Sequence, residues 1–244
     1  LKKAEFNSAF FFEISNLFLN FFLLLLYNKK TNKEKEMKEL ELKLRAGYPA
    51  IALLTHEEAR AEASLAAACK SLEQEIFIWT ITVGLRDVDG EVTEETNTPP
   101  NVLKEIKNRT EKKSFADTVF VLKDFQHYLD NAGVCRQIRD LLPMLKKTGS
   151  CLLFLGAAFT PPPDLQREVI RVNFKMPERE ELELILHGIC EENKIDIGNN
   201  GEKERLIEAG LGLTSIEYEN ALAESIVACA GKLDDKVVSK VKCE

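Results

Sequence analysis

From residue 37 onward, apolar and polar positions switch repeatedly between two periods. Residues 37–46 read as a short helix presenting Leu40, Leu42 and Leu44, and Gly47 and Pro49 mark a turn. Residues 50–54 (AIALL) are a continuous apolar run of strand length. Thr55, with Glu58 three residues on, forms the pattern of a capping box, and the helix behind it places Ala61, Leu65, Ala68, Cys69 and Leu72 on one face. Residues 75–83 (EIFIWTITV) are β-branched and aromatic, hence a strand, and residues 84–100 are polar and turn-rich, hence a loop. A helix over 101–110 precedes a third buried strand, 118–122, which runs out at Lys123, Asp124 and Phe125. The helix over 132–147 has Ile138, Leu141, Leu142 and Leu145 apolar, with Pro143 predicting a kink or a broken end. Strands follow at 151–155 (CLLFL) and 170–174, separated by Pro161, Pro162 and Pro163. Beyond Pro177 only helical periods remain, at 178–194, 202–209, a segment capped by Thr214 with Glu217 that runs to 230, and 233–241.

Continuous apolar strands imply a sheet covered on both faces, and strands alternating with helices imply an α/β fold with a mainly parallel sheet. The expected organisation is a five-stranded α/β domain over 37–176 and a helical lid over 177–244. Residues 1–36 stand apart: they hold seven of the 14 phenylalanines, five asparagines and no glycine or proline. The apolar run 10–27 is interrupted by Glu13, Asn16 and Asn20 and flanked by Lys2, Lys3, Lys29 and Lys30, so a membrane anchor here carries three embedded polar groups. The chain starts at Leu1 and its first methionine is Met37, so a translation start at Met37 is the competing expectation, and an ordinary buried helix the third.

Charge narrows the classes. The net charge is −7, and because residues 1–36 are net positive by two, the remainder carries −9. No basic stripe is present, so nucleic acid is not an expected partner. Six scattered cysteines without a C-x-x-C pair predict buried, reduced thiols in a cytosol-like compartment rather than a disulfide framework or a zinc site. His56, His127 and His187 have no metal-ligand spacing.

The junction at 51–72 (IALLTHEEARAEASLAAACKSL) is the most informative stretch. A strand feeding directly into a helix is where a P-loop would carry its glycine-rich phosphate cradle ending in Gly-Lys-Ser/Thr. Here Thr55, His56, Glu57, Glu58, Ala59 and Arg60 occupy it. Two glutamates suit the positive end of a helix but repel a triphosphate. Asp124 could hold Mg²⁺ at a strand end or simply cap a turn, and Phe125 follows it where a hydrolytic glutamate would be needed. Arg136 and Arg139 share a helix face; they could act in trans on a neighbour's phosphate or pair with Asp140 or a partner's acid. No catalytic, cofactor-binding or metal-binding residue is assigned to this chain.

The order of these segments resembles the AAA-type, P-loop-NTPase-like fold. Asp124 matches the Walker B position, CLLFLGA (151–157) the sensor strand, VNFKMPEREELELIL (172–186) the passage into the lid, and GLTSIEYENAL (212–222) the lid's turn and helix. A narrower resemblance, over about residues 37–244, is to the N-terminal half of the cyanobacterial and chloroplast-encoded AAA ATPases of uncertain role. It is carried by MKELELKLRAGYPAIALLTHEEAR (37–60), Trp79 and Thr80, VFVLKDFQHYL (119–129), and the helix around Arg136 and Arg139. Those proteins resemble a tandem, a degenerate first half before a second half with an intact P-loop. The resemblance thus implies a non-catalytic module, a fragment or half of an ATPase whose ATP and Mg²⁺ belong to the second half. Its partner would be an AAA-type ATPase domain, in cis or in trans, or a homo-oligomeric ring; a membrane enters only if residues 10–27 form an anchor. The alternative is a stand-alone, ATP-independent adaptor similar to inactive clamp-loader subunits. An enzyme using Asp124 and the arginines without a P-loop is the third reading.

Overall fold

A computed structural model describes residues 33–112, 116–197 and 200–242. The readings made of residues 1–32 fall outside them. The chain divides into two compact units, one of residues 34–175 and one that includes residues 176–242.

The first unit is an α/β layer structure. Its elements are α1 (Lys33–Arg45), β1 (Ala50–Leu54), α2 (Glu58–Ser71), β2 (Glu75–Thr80), β3 (Gly84–Arg86), β4 (Val92–Thr93), α3 (Pro99–Glu111), β5 (Thr118–Lys123), a 3₁₀ turn (Phe125–Tyr128), α4 (Ala132–Thr148), β6 (Cys151–Gly156) and β7 (Ile170–Asn173). The sheet order is β4-β3-β2-β5-β6-β1-β7. Five strands run parallel, with Leu53 opposite both Leu155 of β6 and Val172 of β7, and Val121 opposite both Ile78 of β2 and Leu153 of β6. β3 and β4 add antiparallel to the β2 edge.

The sheet therefore has seven strands rather than the five expected, and part of the stretch 84–100 is a hairpin rather than loop. Gly84 turns the chain at φ +93°, where a Cβ would lie 2.7 Å from Thr96 Oγ1. Asp87 accepts from the backbone N–H groups of Asp89 and Glu91 through Oδ1, at 3.0 and 2.9 Å, closing the tip. The only tryptophan, Trp79, anchors the hairpin from below, its Nε1–H donating to the Thr96 carbonyl at 2.6 Å.

Strand alternation splits the continuous apolar runs between two cores. Ala50, Ala52, Phe120, Leu122, Leu152 and Phe154 face α3 and α4 with Trp79 and Phe125. Ile51, Leu53, Val119, Val121, Leu153 and Leu155 face α1 and α2. Burial on both faces is what the lack of polar alternation predicts. α4 begins at Asn131, whose side chain accepts from the N–H groups of Gly133 and Val134, and ends at Gly149 in the left-handed region. Of the kink or broken end that Pro143 predicts, the broken end does not occur: the helix continues through Pro143, which is exposed, so solvent can satisfy the carbonyl its ring leaves unbonded.

The second unit comprises α5 (Arg179–Asn193), α6 (Asn200–Gly210), α7 (Ser215–Ala228) and α8 (Asp235–Val241). Thr214 and Glu217 make the expected capping box, with Thr214 Oγ1 accepting from the Glu217 N–H at 3.1 Å and Glu217 Oε2 accepting from the Thr214 N–H at 2.7 Å. Tyr218 fills the centre of the unit's core and donates to the Leu206 carbonyl at 3.2 Å. Gly210 leaves room for that ring: a Cβ there would sit 2.5 Å from Tyr218 Cε2. Gly210→Ala is expected to cost about 1–3 kcal/mol by overpacking, read as a lowered denaturation midpoint; a midpoint equal to wild type would show that the ring can move aside.

Candidate functional site at the strand ends

In an open α/β sheet the crevice beyond the carboxyl ends of the strands is the place for a ligand. Here that edge gathers Thr55–Glu58 after β1, Lys123 and Asp124 at the end of β5, and Gly156 at the end of β6, whose carbonyl accepts from the Thr55 N–H at 2.9 Å. Thr55 does not complete the expected capping box. Its Oγ1 accepts instead from the Glu57 N–H at 2.9 Å, and α2 starts only at Glu58. The turn thus directs one of its own N–H groups at its own hydroxyl, away from the crevice.

Glu58 is engaged elsewhere. Its carboxylate lies 2.8 Å from Lys123 Nζ, and Lys123 also pairs with Glu62 one turn along α2. Glu62 in turn lies 3.4 Å from Arg86 on β3. The result is a chain of alternating charge, Glu58–Lys123–Glu62–Arg86, that ties α2 to β5 and to the hairpin. Burial works to lower the Lys123 pKa, but hydrogen bonds and charge from Glu58 and Glu62 outweigh it, and the ammonium is held above its ordinary range. On the other side of the turn, buried Glu57 lies 3.3 Å from Arg60.

Asp124 is exposed and sits at φ +52°, ψ +24°, in the left-handed region. Its N–H donates to the Leu155 carbonyl at 2.9 Å, and one carboxylate oxygen accepts from Gln126 Nε2 at 3.4 Å. Asp124 is an N-cap of the 3₁₀ turn without a side-chain cap bond. Arg136 pairs with Asp140 one helical turn along α4, and Arg139 lies 3.7 Å from Asp164; all four side chains are exposed. The structure places these arginines on α4 and Asp124 at the β5 end, with the two sets joined by no hydrogen bond or ion pair described here. His56 and His127 are exposed, and His187 lies 3.5 Å from Glu191 in the helical unit. Among the described residues no group of three or more His, Cys, Asp or Glu side chains could hold a metal ion. Cys69, Cys135, Cys151 and Cys190 are buried free thiols; burial pushes Cys69 up to about 12, which keeps it protonated and unreactive.

Sequence reasoning missed the residues that matter most here, Lys123, Glu62 and Arg86. The signal available was charge placement: a lysine closing an otherwise apolar strand, opposite a helix that begins with glutamates.

Residues 55–60 hold no glycine and no lysine, and Glu57 and Glu58 stand where α2 begins. A phosphate set down at the start of α2 would meet the Glu57 and Glu58 carboxylates.

The α/β unit with a parallel sheet of order β2-β5-β6-β1-β7 and a helix leaving the end of β1 has an AAA-type fold. A chain of the E. coli MS115-1 HORMA:CdnC:Trip13 complex superposes with a TM-score of 0.51 at 15% identity, covering 83% of this chain and 76% of that one. Rhizobiales Trip13 gives 0.50 at 12% identity with the same coverage. A family model described as SpoVK-like AAA ATPase, N-terminal domain, matches residues 36–174, and the chain belongs to that family. Two relatives carry the name uncharacterized AAA domain-containing protein ycf46. The one from Guillardia theta is 26% identical over 215 residues, 85% of this chain and 40% of its own length. The one from Trieres chinensis is 26% identical over 202 residues, 82% and 40%. The chain thus spans about two fifths of the length of these relatives.

Proposed function

We propose that this chain is a nucleotide-silent AAA-type module that works beside a nucleotide-binding AAA-type domain, in cis or in trans. The observation that carries this reading is the Glu58–Lys123–Glu62–Arg86 chain. Lys123, a cation at the carboxyl end of β5, is already neutralised by the protein's own carboxylates, and one of these, Glu58, stands at the helix end that would otherwise attract an anion. ATP and Mg²⁺ belong to the second domain, for which the relatives' greater length leaves room. The helical unit is the module's lid, and the pairs at Arg136 and Arg139 are surface ion pairs rather than trans-acting fingers. The chain works in a plastid stroma or a cytoplasm, where its free thiols stay reduced.

Calorimetric titration of the purified chain with ATP and Mg²⁺ is expected to give no saturable binding below about 1 mM. Micromolar affinity would overturn the reading. Silence toward nucleotide joined to capture of a nucleotide-binding AAA-type domain would establish it.

A further inference from the structure

Arg60 stands in the first turn of α2, where a cation opposes the helix dipole and costs about 0.3–1 kcal/mol. Helix stability therefore does not account for it. The guanidinium lies over the Phe174 ring, 4.4 Å from its centroid. Nη1 donates to the Lys175 carbonyl at 3.0 Å, Nη2 donates to the same oxygen, and Nη1 lies 3.3 Å from the Glu57 carboxylate. Phe174 N–H donates to the Leu54 carbonyl at 2.9 Å, carrying the β1–β7 ladder one residue past the end of β7. One side chain thus holds, by stacking and by a planar two-donor fork, the last two residues of the α/β unit.

β7 is a four-residue strand at the sheet's edge, and a short edge strand of this kind is expected to fray. We propose that Arg60 is a built-in clasp, aligned by Glu57, that holds residues 174–175 against the sheet and fixes the point at which the chain leaves the α/β unit. The turn that in a P-loop protein faces phosphate here grips the protein's own exit segment. The clasp needs no ligand, so the exit is held in the same way with or without nucleotide. This goes beyond the proposed function and does not depend on it.

The Lys175–Met176 bond reports on the clasp directly, because its carbonyl is the one Arg60 holds and Lys175 is exposed. In the full chain, Arg60→Met keeps apolar bulk over Phe174 and removes the fork. Trypsin cleavage after Lys175 is expected to rise about tenfold or more, because proteolysis follows the population of the opened segment. Hydrogen exchange of residues 170–176 should accelerate in parallel, with 118–123 unchanged. Glu57→Gln, which leaves the fork but removes its aligning charge, should give a smaller rise, about two- to fivefold, at the same bond. Cleavage at wild-type rate in both variants, or an equal rise at every site, would overturn the clasp. Nucleotide titration of the same variants is a separate readout, so failure of one proposal leaves the other standing.

Discussion

Trp79→Ala is expected to cost the α/β unit about 3–5 kcal/mol. Trp79 is fully buried and packs edge-on against Phe125 and Tyr128, with ring centroids 5.3 and 6.1 Å away. Phe125 passes the contact on to Phe154 at 5.9 Å, so the cavity would open at the centre of the core shared by α3, α4 and the sheet. The Thr96 carbonyl would lose its indole donor as well, and an acceptor stranded away from solvent adds about 1–3 kcal/mol where no water replaces it. Since Thr96 Oγ1 also receives the Leu85 N–H at 2.8 Å, the hairpin should loosen before the parallel strands do. Urea denaturation followed by circular dichroism measures the loss, because the variant has no tryptophan left to fluoresce. A loss below about 1 kcal/mol would mean that the site collapses freely around the gap.

Lys123→Met is expected to cost about 1–3 kcal/mol, less than a fully buried pair would because Glu58 is about two-fifths exposed and its half of the network is screened. Removing the lysine leaves Glu58 and Glu62 as like charges one turn apart on α2, with Arg86 alone to answer Glu62. The pH dependence gives a second signature. The folded Lys123 pKa lies above its ordinary 10.5, so its contribution is fully present below about pH 10.5 and fades as pH rises through the higher folded value. Wild-type stability should therefore fall in that alkaline window with a slope that Lys123→Met lacks. Equal alkaline slopes in the two proteins would show that the network contributes nothing to folding. The proposed nucleotide silence makes a further demand on this variant: removing a cation should not create an ATP site.

The parallel core was legible in the sequence because β1, β5 and β6 are continuous apolar runs, and such runs mark strands covered on both faces. The capping box at Thr214 and Glu217 was legible for a comparable reason, since its geometry is local and nothing competes for either side chain. The same four-residue pattern at Thr55 and Glu58 misled. There Lys123, distant in sequence, takes the glutamate, and the threonine turns to the nearest N–H. β3 and β4 escaped because strands of three and two residues show too little alternation to register, although Asp89 and Gly90 between Arg86 and Val92 are a hairpin signal that a closer reading of turn chemistry would use. At the site, the missing glycines and the unwelcome glutamates were plain in the sequence. Their neutralising partners were not, because Lys123 and Arg86 meet Glu62 only after the sheet has formed.

The backbone at Asp124 constrains how this position can drift. With φ at +52°, glycine, asparagine and aspartate are the residues that sit there at least cost, although Glu73 and Glu95 of this chain also adopt the left-handed region. Glutamate, though equally acidic, is disfavoured, while asparagine, with no charge at all, is accepted. Among descendants of this sequence, exchange at 124 should therefore follow conformational tolerance rather than acidity, and an aspartate retained there is no record of a retained metal.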